Sequence, residues 1–120
     1  MFSMGARLEG FTGRDLERVE KNLSRQYEDI RKAYVAALLN LQASVMFTLG
    51  NAKGKPEWER VNALRQKAEH VTITTAEQAV AVTTLTATAK SMILYYRNER
   101  LHDRYFKALS DIEECHARIF

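Results

Sequence analysis

The 120-residue chain has one cysteine, one proline, five glycines and no long hydrophobic run. Cys115 alone cannot close an intramolecular disulfide, which excludes a disulfide-stapled scaffold and favours a reducing compartment. The least polar stretch, residues 79–89, is charge-free but carries Thr83, Thr84, Thr86 and Thr88 and ends at Lys90. That falls well short of the roughly 18 to 20 apolar residues that cross a bilayer, so no membrane span is expected. The first ten residues lack the basic start and unbroken apolar run of a secretion signal. The expected location is cytoplasmic or intracellular, within a larger particle if the chain is an assembly component.

Charge of one sign is also scarce. Eighteen basic and fifteen acidic residues give a formal net charge of +3, and no segment forms a polybasic tail. With 46% hydrophobic and 28% charged residues the chain belongs to the globular or bundle-like class.

Every glycine (Gly5, Gly10, Gly13, Gly50, Gly54) and Pro56 precede residue 57, so residues 57–120 contain none of the strongest breakers of regular structure. Residues 1–12 read as a flexible N-terminal arm and 13–120 as a single helical domain, with helices at about 13–49, 56–72 and 75–118. Thr12 to Asp15 has capping-box spacing. From there Leu16, Val19, Leu23, Tyr27, Ile30, Tyr34, Ala37, Leu41, Val45 and Thr48 recur on one helical face. Such a helix is about 55 Å long. Gly50 to Pro56 reads as the turn into a second helix, with Pro56 at its first position and Trp58, Val61, Leu64, Ala68 and Val71 continuing at helical spacing.

Val71 to Gln78 alternates β-branched residues like a strand, yet a lone strand has nothing to pair with. Thr75-Ala-Glu-Gln78 also fits a capping box, so a kink or fresh start near Thr75 competes with an uninterrupted helix. Beyond it Leu94, Leu101, Tyr105, Ala108, Ile112, Cys115 and Ile119 form a second apolar stripe, the expected oligomer interface.

The expected fold is all-α: a long antiparallel helical hairpin with an extended or kinked third helical segment, completed as a helical bundle by oligomerisation. A long amphipathic helix must bury its apolar face, because propensity alone leaves helices marginal in water. The expected partners are therefore further copies of the chain or other protein subunits, and the expected role is a non-enzymatic structural or adaptor subunit.

Chemistry-bearing patterns are weak. Glu99-x-x-His102 and Glu113-x-x-His116 have the spacing by which helices of ferritin-like bundles present a carboxylate and an imidazole to metal. On one helix the pairs would stand about 21 Å apart, so they could share metal only across chains. Gly50-x-x-x-Gly54-Lys55 lacks a spacer residue and the Ser or Thr of a phosphate-binding loop, and reads as a turn. No nucleophile-base constellation has workable spacing, so no catalytic residue, resident metal or cofactor is expected. Two basic stripes offer an alternative function. Arg14, Arg18, Lys21, Arg25 and Lys32 lie within an arc of about 60° opposite the apolar stripe, and Lys90, Arg97, Arg100, Arg104 and Lys107 within about 100°. They could follow a nucleic-acid backbone through its phosphates, or they are simply solvated faces.

Overall fold

The structure, a computed structural model, describes residues 13–95 and 102–120, and the protein is all-α. Three helical elements follow one another: α1 (Gly13–Glu69), α2 (Ala76–Tyr95) and α3 (His102–Ile119). The expected arm at residues 1–12 lies outside the described residues.

Helix α1 is two arms joined at one residue. Gly50 has φ 79° and ψ 173°, a backbone state that essentially only glycine adopts, and it reverses the chain between arms 13–49 and 51–69. Helical backbone resumes directly after it, so the expected turn over residues 50–56 and the helix start at Pro56 are corrected. Pro56 lies in the second turn of the second arm, where its missing N–H deprives only the carbonyl of Ala52, an exposed residue that water can serve.

The arms lie close together. A Cβ added to Gly54 would stand 3.1 Å from the Val45 carbonyl oxygen and 3.2 Å from Met46 Cα. Further along, Gln42 Nε2 donates to Asn62 Oδ1 at 2.8 Å, and Arg65 donates to both Gln42 Oε1 and Asn62 Oδ1. At the far end Arg31 donates to the Glu69 carbonyl at 3.0 Å, supplying a partner for a helix-terminal acceptor.

The second arm ends at Glu69 rather than at residue 72, and residues 71–74 are irregular. The strand-like alternation finds no strand partner there, but Ile73 tucks into the core. Thr75 and Gln78 then make a reciprocal capping box: Gln78 N–H donates to Thr75 Oγ1 at 3.2 Å, and Gln78 Oε1 accepts from Thr75 N–H at 3.3 Å and Thr74 N–H at 2.9 Å. In α2 the hydroxyls of Thr83, Thr84, Thr86 and Thr88 each donate to the carbonyl four residues earlier, at 2.8 to 3.1 Å. This satisfies them locally, so a β-branched polar run can stay helical and even Thr86 can be buried.

The expectation of one helix over 75–118 does not hold. A straight helix of that length would hold Ala81 and Arg118 about 55 Å apart, yet both line one small groove together with Leu85 and Ile119. Helix α3 has turned back along α2, which buries its apolar face within the chain. Leu109 and Ile112 join Tyr34, Leu38, Leu41, Val45, Val61, Leu64, Val82, Leu85 and Met92 in one core.

The overhang is therefore on the other leg. The first arm outruns the second, and residues 17–26 are exposed without exception; burial begins at Tyr27. The molecule is elongated accordingly, with extents of 61 × 28 × 22 Å.

Candidate functional site

Two features remain after the core is accounted for: the overhanging start of α1, and a groove beside the buried end of α3. On the overhang the apolar stripe that fills the core from Tyr34 to Val45 continues outward through Ile30 and Tyr27, which are half-buried, to Leu23 and Val19, which are 42% and 43% exposed. Burial of such residues is normally what holds a helix in place, and here the chain supplies no cover among its described residues. Arg18, Lys21, Arg25 and Lys32 are exposed on the opposite face. Lys90 and Lys107 are likewise exposed, whereas the side chains of Arg14 and Arg104, and Arg97 and Arg100 altogether, lie outside the described residues.

The expected oligomer interface is placed differently. Ile112 is 1% exposed, in the core of its own chain, and Ala108, Cys115 and Ile119 pack against that core. The inward face of α3 centres on Leu109, Ile112 and His116, one residue round from the stripe read in the sequence. Ile112 is therefore withdrawn as an interface residue. Leu101 and the side chains of Leu94 and Tyr105 lie outside the described residues.

The metal candidates do not converge. Among the described residues no three histidines, cysteines or acids gather as a metal site. Glu113 is ion-paired with Arg60 at 2.5 Å, and His116 points into the core; Glu99 and the His102 side chain lie outside the described residues. Cys115 is a free, half-buried thiol.

His116, a weak metal candidate by its spacing from Glu113, sits in a buried aromatic cluster. Its ring is 5% exposed, 5.8 Å from the Tyr34 ring and 5.2 Å from the Phe120 ring by centroids. Tyr34 is wholly buried, and its hydroxyl stands 3.3 Å from His116 Nδ1. Burial raises the Tyr34 pKa, with the Cys115 charge adding to it, so the phenol keeps its proton and acts as the donor. Burial, helped by the nearby Lys67 charge, lowers the His116 pKa, so the ring is neutral at pH 7. A neutral imidazole that accepts at Nδ1 carries its hydrogen on Nε2. No partner for that hydrogen is found among the described residues, and His116 is one of the residues that line a groove.

The groove runs between the second arm of α1 and the C-terminal half of α3. Its volume is about 1170 Å³, and its lining mixes apolar Val71, Ala117 and Phe120 with polar Gln66, Lys67, His70 and Thr72. Of its charged groups, Arg60 holds Glu113, and Glu69 is held by Arg65 outside the groove. Lys67 has no ion pair among the described residues.

At the upper end of the same interface lies a buried carboxylate that sequence reasoning missed. Trp58 shares the helical spacing of Val61 and Leu64, but the inward face of the second arm is Glu57, Val61, Leu64 and Ala68, and Trp58 is 38% exposed. Glu57 Oε2 is buried without a hydrogen-bond partner, and the Arg60 guanidinium is 3.5 Å away. Burial raises the Glu57 pKa, Arg60 opposes the shift and Glu113 adds to it. The only sequence signal was spacing: Glu57 stands four residues before Val61, on the face that Leu64 and Ala68 continue.

No helix among the described residues is long and apolar enough to cross a membrane. No family model matches the chain, and neither a curated protein nor a solved structure similar to it was found.

Proposed function

We propose that the chain is a non-enzymatic structural subunit that associates through the overhanging start of α1, completing its helical hairpin as a larger bundle with a second copy or a neighbouring subunit. The observation that carries this reading is the run of exposed residues 17–26, whose Val19 and Leu23 continue the core stripe with nothing from the described residues over them. Apolar side chains at helical spacing gain about 1.5–3 kcal/mol each when fully buried, so a facing helix would stabilise the arm appreciably. The interface assigned here thus moves from the C-terminal stripe to the N-terminal overhang.

Light scattering after size exclusion tests it. The expected result is a defined, salt-resistant oligomer that Leu23→Glu together with Val19→Glu disperses without loss of helicity. A compact monomer at micromolar concentration refutes self-association.

A second reading rests on the opposite face of the same arm, where Arg18, Lys21, Arg25 and Lys32 are exposed in line. It is a nucleic-acid contact through phosphates, without base readout. Binding should then weaken steeply with salt, and reversing the charge at Arg18, Lys21 and Arg25 should flatten that dependence. A triple variant that binds as before removes this reading.

A further inference from the structure

We propose that the overhanging start of α1 docks on the back of the hairpin of a second copy, the outward face that carries Ala36, Leu39, Ala43 and Phe47, so that chains join head to tail. This rests on the association proposed above and names what covers the overhang.

Between residues 33 and 49 the first arm is apolar on two sides. Its inward side fills the core with Tyr34, Leu38, Leu41 and Val45. On the outward side, Arg18, Lys21, Arg25 and Lys32 form a line that Ala36, Leu39, Ala43 and Phe47 continue at helical spacing, so one face changes from basic to apolar. All four of the latter are exposed, Leu39 by 52% and Phe47 by 93%, the most exposed large apolar side chain among the described residues. From Lys32 to Lys53 the sequence holds no charged residue at all. Such a contiguous apolar face on a helix is the mark of an interaction surface.

Length, area and charge point to the overhang of another copy as its occupant. At 1.5 Å per residue the exposed run 17–26 is about 15 Å long and the outward face 36–47 about 18 Å. A parallel alignment that sets Val19 beside Leu39 also sets Leu23 beside Ala43 and the Gly50 reversal beside Ile30, where the chain's own cover has begun. The tip of one hairpin then abuts the end of its neighbour's bundle, whereas an antiparallel neighbour would drive its own overhang into that bundle. Overhang against overhang would bury only Val19 and Leu23 of each copy, both already partly covered, far less than the roughly 1,200 Å² of a stable interface. Leu39 and Phe47 supply the missing apolar area, and Ala36 and Ala43 let the helices approach closely. The overhang stripe is bordered by exposed Glu20 and, further round, Glu17; the receiving face is bordered by exposed Lys32 and by Lys55, next to Gly54 at the crossing with Val45 and Met46. The two borders are opposite in sign.

The two faces point away from each other. At about 100° per residue, Val19 and Leu39 lie about 200° apart around the helix, so no single neighbour covers both. Each chain therefore takes two neighbours through unlike faces, and the contact does not close on a pair.

Light scattering on the full chain and on mixtures of variants tests this. Wild type is expected to assemble beyond two chains at high micromolar concentration. Leu39→Glu with Phe47→Glu should be monomeric with unchanged circular dichroism, since both side chains are exposed, and so should Val19→Glu with Leu23→Glu. Mixed in equal amounts, these two monomers should form a one-to-one pair that grows no further, because one intact face of each kind remains. Phe47→Ser alone should raise the concentration needed for assembly about tenfold. Val80→Glu, at an exposed position of α2, should assemble as wild type. A wild type that stays monomeric removes the association reading and this proposal with it. If wild type assembles and the overhang variant disperses while the Leu39, Phe47 variant assembles as before, association stands and this proposal is overturned. A wild type that stops at two chains, a mixture that stays monomeric, an unaffected Phe47→Ser or a dispersed Val80→Glu would each overturn it as well.

Discussion

Glu57→Gln should make the protein more stable at pH 8 and leave it nearly unchanged at pH 4. The Glu57 side chain is 8% exposed, and its Oε2 has no hydrogen-bond partner. Leaving a buried polar group unsatisfied costs about 1–3 kcal/mol, more when it is charged. Arg60 returns part of this from 3.5 Å, but the same guanidinium is committed to Glu113 at 2.5 Å and to Ser110 at 3.2 Å. The balance that remains against the ionised carboxylate is of order 1 kcal/mol. Glutamine keeps the shape, removes the charge, and can turn its carbonyl to Arg60. The pH dependence follows from the raised pKa: the folded state holds the Glu57 proton more tightly than the unfolded chain does. Folding is therefore penalised above the folded pKa, and the penalty disappears below the unfolded value of 4.5. Urea denaturation at the two pH values measures it, with the Glu57→Gln midpoint about 0.5 M higher at pH 8, given slopes of about 1–3 kcal/mol/M. A variant less stable than wild type at pH 8 would mean that Arg60 more than repays the burial, and the reasoning would fail.

Substitutions at Gly50, Gly54 and His116 have distinct expected outcomes. Gly50→Ala should cost about 1–3 kcal/mol through backbone strain alone, since nothing lies within 4 Å of the added carbon, whereas Gly54→Ala should cost about 1 kcal/mol net, the contact with the Val45 carbonyl outweighing the gain in helix propensity. Thermal unfolding checks both, and a Gly50→Ala protein as stable as wild type would contradict the assigned reversal. His116 has a lowered pKa when folded, so the unfolded chain takes up its proton first, and stability should fall as pH drops below about 6.5. Measured in the Glu57→Gln background, which removes the opposing titration, the decline between pH 7.5 and 5.5 should vanish when His116→Gln is added; a decline that persists assigns it to another group.

Local signals were legible where the physics is local. The 3.6-residue recurrence from Tyr34 to Val45 marks the buried face correctly, Gly50 stands at the reversal, and Thr75 and Gln78 carry the hydrogen bonds of a helix start. What the sequence hid was the answer to which elements meet. Periodicity says that a face is apolar and is silent on whether its cover comes from the same chain. Ile112 and Cys115 read equally well as an interface with another copy and as the lining of this core. Glu57 and Trp58 are neighbours in sequence, and hydrophobicity favours the tryptophan for the interior; the pitch of the arm, fixed by Val61, Leu64 and Ala68, turned the carboxylate inward instead.

By itself, then, the sequence determined an all-α chain, two of its breaks and the apolar face of each long segment, because capping, backbone permissiveness and helical period act within a few residues. Only the tertiary structure decided that α3 returns along α2, that the helix left uncovered by the described residues is the start of α1, and that Tyr34 meets His116 across 82 residues of chain. Those outcomes depend on the total apolar area that can be buried at once, a property of the whole packing that no single stretch of sequence contains.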